Sequence, residues 1–155
     1  MSPLVIAALR VLLVLIGLSA LAGQVAIVVP LVVELAGAGV PAFLAVYAVL
    51  GLLALGALEV GLVALWVLLG MVRREAIFDD GAFRWVRVVT AAGLAAALLV
   101  AAVCVHYGEI DDAPGLILIG GGIGIGGTAY ALLMLVMHGL LQNATVLRRE
   151  LDEVV

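Results

Sequence analysis

The chain has 155 residues, of which 67% are hydrophobic and 12% charged, and its net charge is −4. A soluble domain is about half apolar and about a quarter charged, so this composition excludes an ordinary soluble protein. The acidic balance, with no lysine, argues against direct nucleic-acid binding, and the single Cys104 excludes an intrachain disulfide.

Four apolar stretches are each close to the length that crosses a bilayer, which takes about 20 residues in a helix. We therefore predict an all-α, polytopic membrane protein, an antiparallel four-transmembrane-helix bundle in one domain. The start of the chain also has the apolar core of a secretory signal, but we expect it to remain as a span. The predicted spans cover residues 4–33, 42–72, 88–105 and 115–141.

The spans are joined by three polar segments of different character. A short connection containing Gly37, Gly39 and Pro41 follows span one. A hinge over residues 73–87 separates spans two and three, and we expect the third helix to begin near Asp80. An acidic loop over residues 106–114 precedes span four. The tail, residues 142–155, keeps a helical spacing of apolar residues and is predicted to extend the fourth helix into the cytosol.

The arginines predict the orientation. Short arginine-rich segments stay on the cytoplasmic side of a membrane. With four spans, all seven arginines fall on one side: Arg10, four in the hinge and two in the tail. We therefore predict a multi-pass protein of the cell membrane with both termini in the cytoplasm.

The hinge and the tail resemble a known family. The turn Ile77-Phe78-Asp79, followed by Phe83, Arg84 and Val86, is similar to the central signature of the bacterial membrane family called domain of unknown function 2975. The ending 147–155, LRRELDEVV, resembles that of its actinobacterial members. The resemblance implies a four-span protein of the bacterial cytoplasmic membrane with no catalytic residues to carry over. Some relatives accompany small helix-turn-helix regulators, which implies a regulatory protein as partner.

One carboxylate lies at the depth of the membrane interior. Glu59 is near the middle of span two, and ionisable residues at that depth are rare and tend to mark function. Counting residues places Thr128 and Tyr130 of span four at a similar depth, and Gln24 is the polar residue of span one. We predict an intramembrane polar site from these four residues. Glu59 is either a proton-coupled or cation-binding carboxylate or a neutral structural acid bonded across helices.

The first half of the fourth span contains the glycine run GGGIGIGG, residues 120–127. A dinucleotide-binding loop needs a preceding strand, so we interpret the run as a surface for close helix packing, or as a point of local unwinding. Opposing small residues are available in spans one and two, including Ser19 and Gly23. The predicted packing residues are Gly120, Gly124 and Gly127, with Gly122 and Gly126, and in span two Ala57 and Gly61.

No motif for catalysis is present. The sequence has no Ser–His–acid spacing and no pair of catalytic carboxylates, and the acidic outer loop does not match a calcium-binding pattern. We expect no enzymatic activity, no cofactor and no metal site.

Three functions are therefore compatible with the sequence. The first is a regulatory or accessory protein that contacts a membrane or cytosolic protein through its cytosolic face. The second is a small proton- or cation-coupled transporter or channel, which needs a cavity that reaches Glu59 and usually a homodimer. The third is a structural subunit of a larger membrane complex, which needs an exposed stripe of small residues. Candidate cytosolic interface residues are Arg73, Arg74, Phe78, Arg84, Arg148 and Arg149.

Overall fold

A computed structural model describes residues 3–37, 39, 41–73 and 80–152. It contains four long helices, each long and apolar enough to cross a membrane. The prediction of an all-α protein with four membrane spans is confirmed. Two predicted interface residues, Arg74 and Phe78, lie outside the described residues. The helices are α1 (Pro3–Ala36), α2 (Ala42–Arg73), α3 (Asp80–Ile110) and α4 (Pro114–Asp152).

The third helix begins at Asp80, as expected, but it ends later than the sequence suggested. The predicted loop 106–114 is wrong over its first half, because α3 continues to Ile110. The ring of Tyr107 packs edge-on against Tyr47 of α2 at a centroid distance of 5.9 Å, which holds the last turn of α3 in place. A tight turn follows, in which Asp112 adopts a φ of 51°. The connection to α4 is therefore only three residues long.

The fourth helix continues well past its membrane segment. Its apolar part ends at Leu140, whereas the helix itself reaches Asp152. The predicted helical extension of span four is therefore present, and Arg148 and Arg149 lie on it.

Each helix packs antiparallel against the helix that follows it in the chain. In the described residues, α1 contacts only α2, α4 contacts only α3, and α2 contacts α3. The bundle is therefore open on one side, where α1 and α4 flank a groove of about 390 Å³ whose lining includes Ile27 of α1 and Ile123 of α4. Small residues of α2 and α3 also line this groove: Gly51, Ala54, Ala96 and Ala97.

The glycine run of α4 has two faces with different surroundings. A Cβ atom placed at Gly120 would lie 2.9 Å from Cys104 Cβ of α3, and one at Gly124 would lie 3.3 Å from Ala101 Cβ. A Cβ at Gly127 would collide with Ala97. These three glycines form the predicted packing stripe, which allows the close approach of α3 and α4.

The partner that we predicted for this stripe is wrong. Spans one and two do not touch α4 in the described residues, and α3 supplies the opposing surface. The three-residue connection holds α3 beside α4, and alanines of α3 lie opposite the glycines of α4. Gly61 of α2 packs on Ala92 of α3 instead, and Ala57 is half-buried on α2.

Gly122 and Gly126 lie on the other side of α4, where a Cβ atom would meet nothing within 4 Å. They do not pack against any of the described residues.

Candidate functional site

A recess of about 320 Å³ lies between α1 and α2 at the depth of the bilayer interior. Residues spaced by three and four positions share one face of a helix, and both walls have this spacing. The α1 wall is formed by Leu13, Val14, Gly17 and Leu21, and the α2 wall by Glu59, Leu62, Val63 and Trp66.

Among the described residues that line this recess, Glu59 alone carries a carboxyl group. Counting about 1.5 Å per residue, it lies about 18 Å from Met71, the last residue of the α2 span, and a hydrocarbon core is about 30 Å thick. Its Oε1 atom is buried and makes no hydrogen bond within the described residues. Buried polar groups are nearly always hydrogen-bonded, so this carboxyl oxygen is a candidate to bind a proton or a ligand.

Arg10 lies near the same interface but does not pair with Glu59. Its guanidinium carbon is 5.4 Å from the centre of the Trp66 ring, a cation–π contact. Trp66 is two turns along α2 from Glu59, about 10 Å at 1.5 Å per residue. No ion pair joins Arg10 to Glu59 in the described part of the chain, so the recess has a cation at one end and a carboxyl group at the other.

The four residues of the predicted polar site are not brought together. Thr128 donates a hydrogen bond of 2.8 Å to the carbonyl of Gly124 on its own helix, and Tyr130 packs against α3 at Gly93. Because α2 and α4 make no contact in the described residues, the expected hydroxyl partner for Glu59 is wrong. Gln24 is half-buried on α1 and does not line the recess.

The candidate cytosolic interface is described only in part. Arg84 is exposed on the first turns of α3, and nearby Phe83 packs edge-on against His138 of α4 at 5.1 Å. Arg73 ends α2. The described residues therefore place one exposed arginine beside an aromatic contact that joins α3 to α4.

Sequence reasoning found Glu59 but missed its neighbours. Neither Trp66 nor Arg10 was among the residues predicted for the polar site. The missed signal was periodicity: Glu59 and Trp66 are seven residues apart on α2, as are Arg10 and Gly17 on α1. Both pairs therefore share a helix face.

A family model described as "Protein of unknown function (DUF2975)" matches residues 4–155. Neither a curated protein nor a solved structure matches the chain.

Proposed function

Since the chain belongs to the DUF2975 family, whose description assigns no activity, we propose from its own recess that it is a small membrane transporter in which Glu59 exchanges a proton for a cation. The observation that carries this proposal is the buried, unpaired Oε1 of Glu59 in the wall of a cavity. A purely structural acid would be bonded across helices and packed dry.

One carboxyl group is sufficient for coupled exchange. A carboxylate that has bound a cation does not hold a proton, and a protonated carboxyl has lost the charge that attracts the cation. The two ligands therefore exclude each other at Glu59, which ties the movement of one to the movement of the other. In the orientation predicted from the arginines, Arg10 and Trp66 mark the cytosolic end of the recess.

The packing of α1 on a single neighbouring helix supports a transport mechanism in which α1 moves. Helix α1 forms one wall of the recess and contacts only α2 in the described residues. Displacement of α1 therefore changes the recess without disturbing the contacts among α2, α3 and α4.

Glu59→Gln tests this proposal. Proteoliposomes that contain a pH-sensitive dye receive a gradient of either sodium, potassium or a lipophilic cation. We expect at least one cation to drive proton counterflow in the unmodified protein, and Glu59→Gln to remove it, because an amide neither binds a proton nor carries charge at neutral pH. Glu34→Gln, an exposed carboxylate at the end of α1, is the matched control and should keep the flux.

Equal proton flux in the Glu59→Gln protein and the unmodified protein would contradict the proposal. So would the absence of proton flux with every cation. Helix content by circular dichroism should match in all three proteins, because glutamine has the shape of glutamate.

A second candidate function is an accessory or structural subunit that contacts another membrane protein. The observation that favours it is the outward face of α4, where Gly122 and Gly126 lie open to the bilayer and no described residue of this chain packs against them. Small residues of this kind allow a neighbouring helix to approach closely. A regulatory role through the cytosolic face belongs to the same class, and the resemblance suggests a helix-turn-helix protein as its partner.

Photo-cross-linking in native membranes tests the second candidate. Leu133 lies on the same face of α4 as Gly126, seven residues along, and is 61% exposed; Leu135 lies on another face and is 68% exposed. A photoreactive phenylalanine in place of Leu133 should give a cross-linked product, and the same group in place of Leu135 should not. Gly126→Leu should remove the product by holding the partner helix away. Equal yields from both positions would contradict this function.

A further inference from the structure

Resting on the proposed function, we propose that the ligand of the Glu59 recess is a lipophilic organic cation, a positive centre carried on an apolar body, which enters sideways from the bilayer. Four features of the recess lead to this class of ligand: the number of oxygen ligands it supplies, the side on which it opens, the charges near it and its volume.

The donors exclude a bare metal ion as the ligand. Hard cations such as Ca²⁺ take six to eight oxygen ligands, and Mg²⁺ takes six. The recess offers one carboxylate, and its other lining side chains are aliphatic apart from the indole of Trp66. A cation that lost its water here would find too few oxygens. A cation that brings its own apolar substituents has no tightly held water to lose.

The mouth of the recess faces lipid. Its rim residues Val63 and Trp66 are 59% and 42% exposed, and both lie within the α2 membrane span. Val14 and Leu21 are exposed on the α1 side. An exposed residue at this depth lies against acyl chains, so the path into the recess runs through the hydrocarbon, which admits lipophilic cations and excludes hydrated ions.

The charges orient such a ligand. Arg10 covers the Trp66 end, so a positive centre is repelled there and attracted to Glu59 about two turns away. The apolar body then lies against Leu13, Leu62 and Val63. Burial of apolar surface contributes affinity, and the carboxylate selects the sign of the charge.

The volume fits a compact molecule. About 320 Å³ is at the lower end of the range for small-molecule pockets, about 300–1,000 Å³. A larger ligand leaves part of its body in the bilayer.

Tetraphenylphosphonium and tetraphenylborate test the proposal, because these two ions have nearly the same size and shape and opposite charge. In a Trp85→Phe protein in lipid nanodiscs, the fluorescence of Trp66 reports binding at the recess. We expect saturable binding of tetraphenylphosphonium, weaker binding as the pH falls because protons compete for Glu59, and no saturable binding of tetraphenylborate. Tetramethylammonium, which has the charge without the apolar body, should bind at least tenfold more weakly.

Two pairs of variants locate the site. Glu59→Gln should weaken tetraphenylphosphonium binding at least tenfold, whereas Glu34→Gln should leave it unchanged. Gly17→Leu fills the recess from α1, keeps the carboxyl group of Glu59 in the chain and should also prevent binding. Gly121→Leu adds the same bulk to α4, at a glycine outside the recess that has nothing within 4 Å of its Cβ position, and should bind normally.

The outcomes separate this inference from the proposed function. If tetraphenylphosphonium does not bind, or binds equally to the Glu59→Gln protein, the ligand class is wrong. In that case, Glu59-dependent proton flux driven by sodium or potassium would still uphold the exchange function. If Glu59→Gln changes neither binding nor flux, both proposals are wrong.

Discussion

Replacing Gly120 by alanine is expected to destabilise the protein by about 1–3 kcal/mol, the usual cost of adding a methyl group to a close-packed contact. The new Cβ would lie 3.0 Å from the carbonyl oxygen of Ala101 and 2.9 Å from Cys104 Cβ. Neither is the far end of a flexible side chain, so α3 and α4 must separate. Unfolding by denaturing detergent, followed by circular dichroism, measures the loss.

Gly122→Ala is the matched control for Gly120→Ala. It makes the same change two residues away on the same helix, at a position where the new methyl group meets nothing within 4 Å. Alanine favours a helix interior over glycine by about 1 kcal/mol, so this variant should be as stable as the unmodified protein or more stable. Equal losses at Gly120 and Gly122 would show that the α3–α4 contact is not the cause.

Replacing Glu59 by leucine is expected to stabilise the protein while removing the proposed exchange function. An ionisable side chain at the centre of a membrane helix costs about 3 kcal/mol on insertion scales, and the buried Oε1 makes no hydrogen bond that would offset the cost. We expect a gain of about 1–3 kcal/mol in the same detergent unfolding measurement. A stability cost at a working site is a common trade-off between stability and activity.

Glu34→Leu separates burial from a general effect of removing a carboxylate. Glu34 is exposed in the last turns of α1, where water reaches it, so its replacement should change the unfolding free energy by less than about 0.5 kcal/mol. A loss of stability in the Glu59→Leu protein would show that Glu59 makes a stabilising interaction, and its interpretation as an unpaired binding group would then be wrong.

The position of a residue along its helix was predictable from the sequence, whereas its lateral neighbours were not. Hydropathy and local spacing were sufficient for the four spans, for the start of α3 at Asp80 and for the position of Glu59 near the middle of α2. Position along a helix is a one-dimensional property that follows from counting residues. The wall opposite Glu59 depends on which helices pack together, and no local pattern contains that information.

The glycine run shows the same difference between what local spacing predicts and what helix packing decides. Its spacing correctly predicted a stripe at Gly120, Gly124 and Gly127 on one face of α4. The spacing of Gly122 and Gly126 is equally regular, yet these residues pack against nothing in the described part of the chain. Both stripes satisfy the small-residue pattern, and only the course of α3 decides which one is covered.

The packing of each helix on the next one in the chain bears on how the protein is made. Every interhelical contact in the described residues joins sequence neighbours, so a newly inserted helix finds its partner already in the membrane. Chains with such local contacts assemble quickly because few distant segments must meet. Synthesis from the amino terminus therefore builds this structure one hairpin at a time, and α4 completes it by docking on α3 alone.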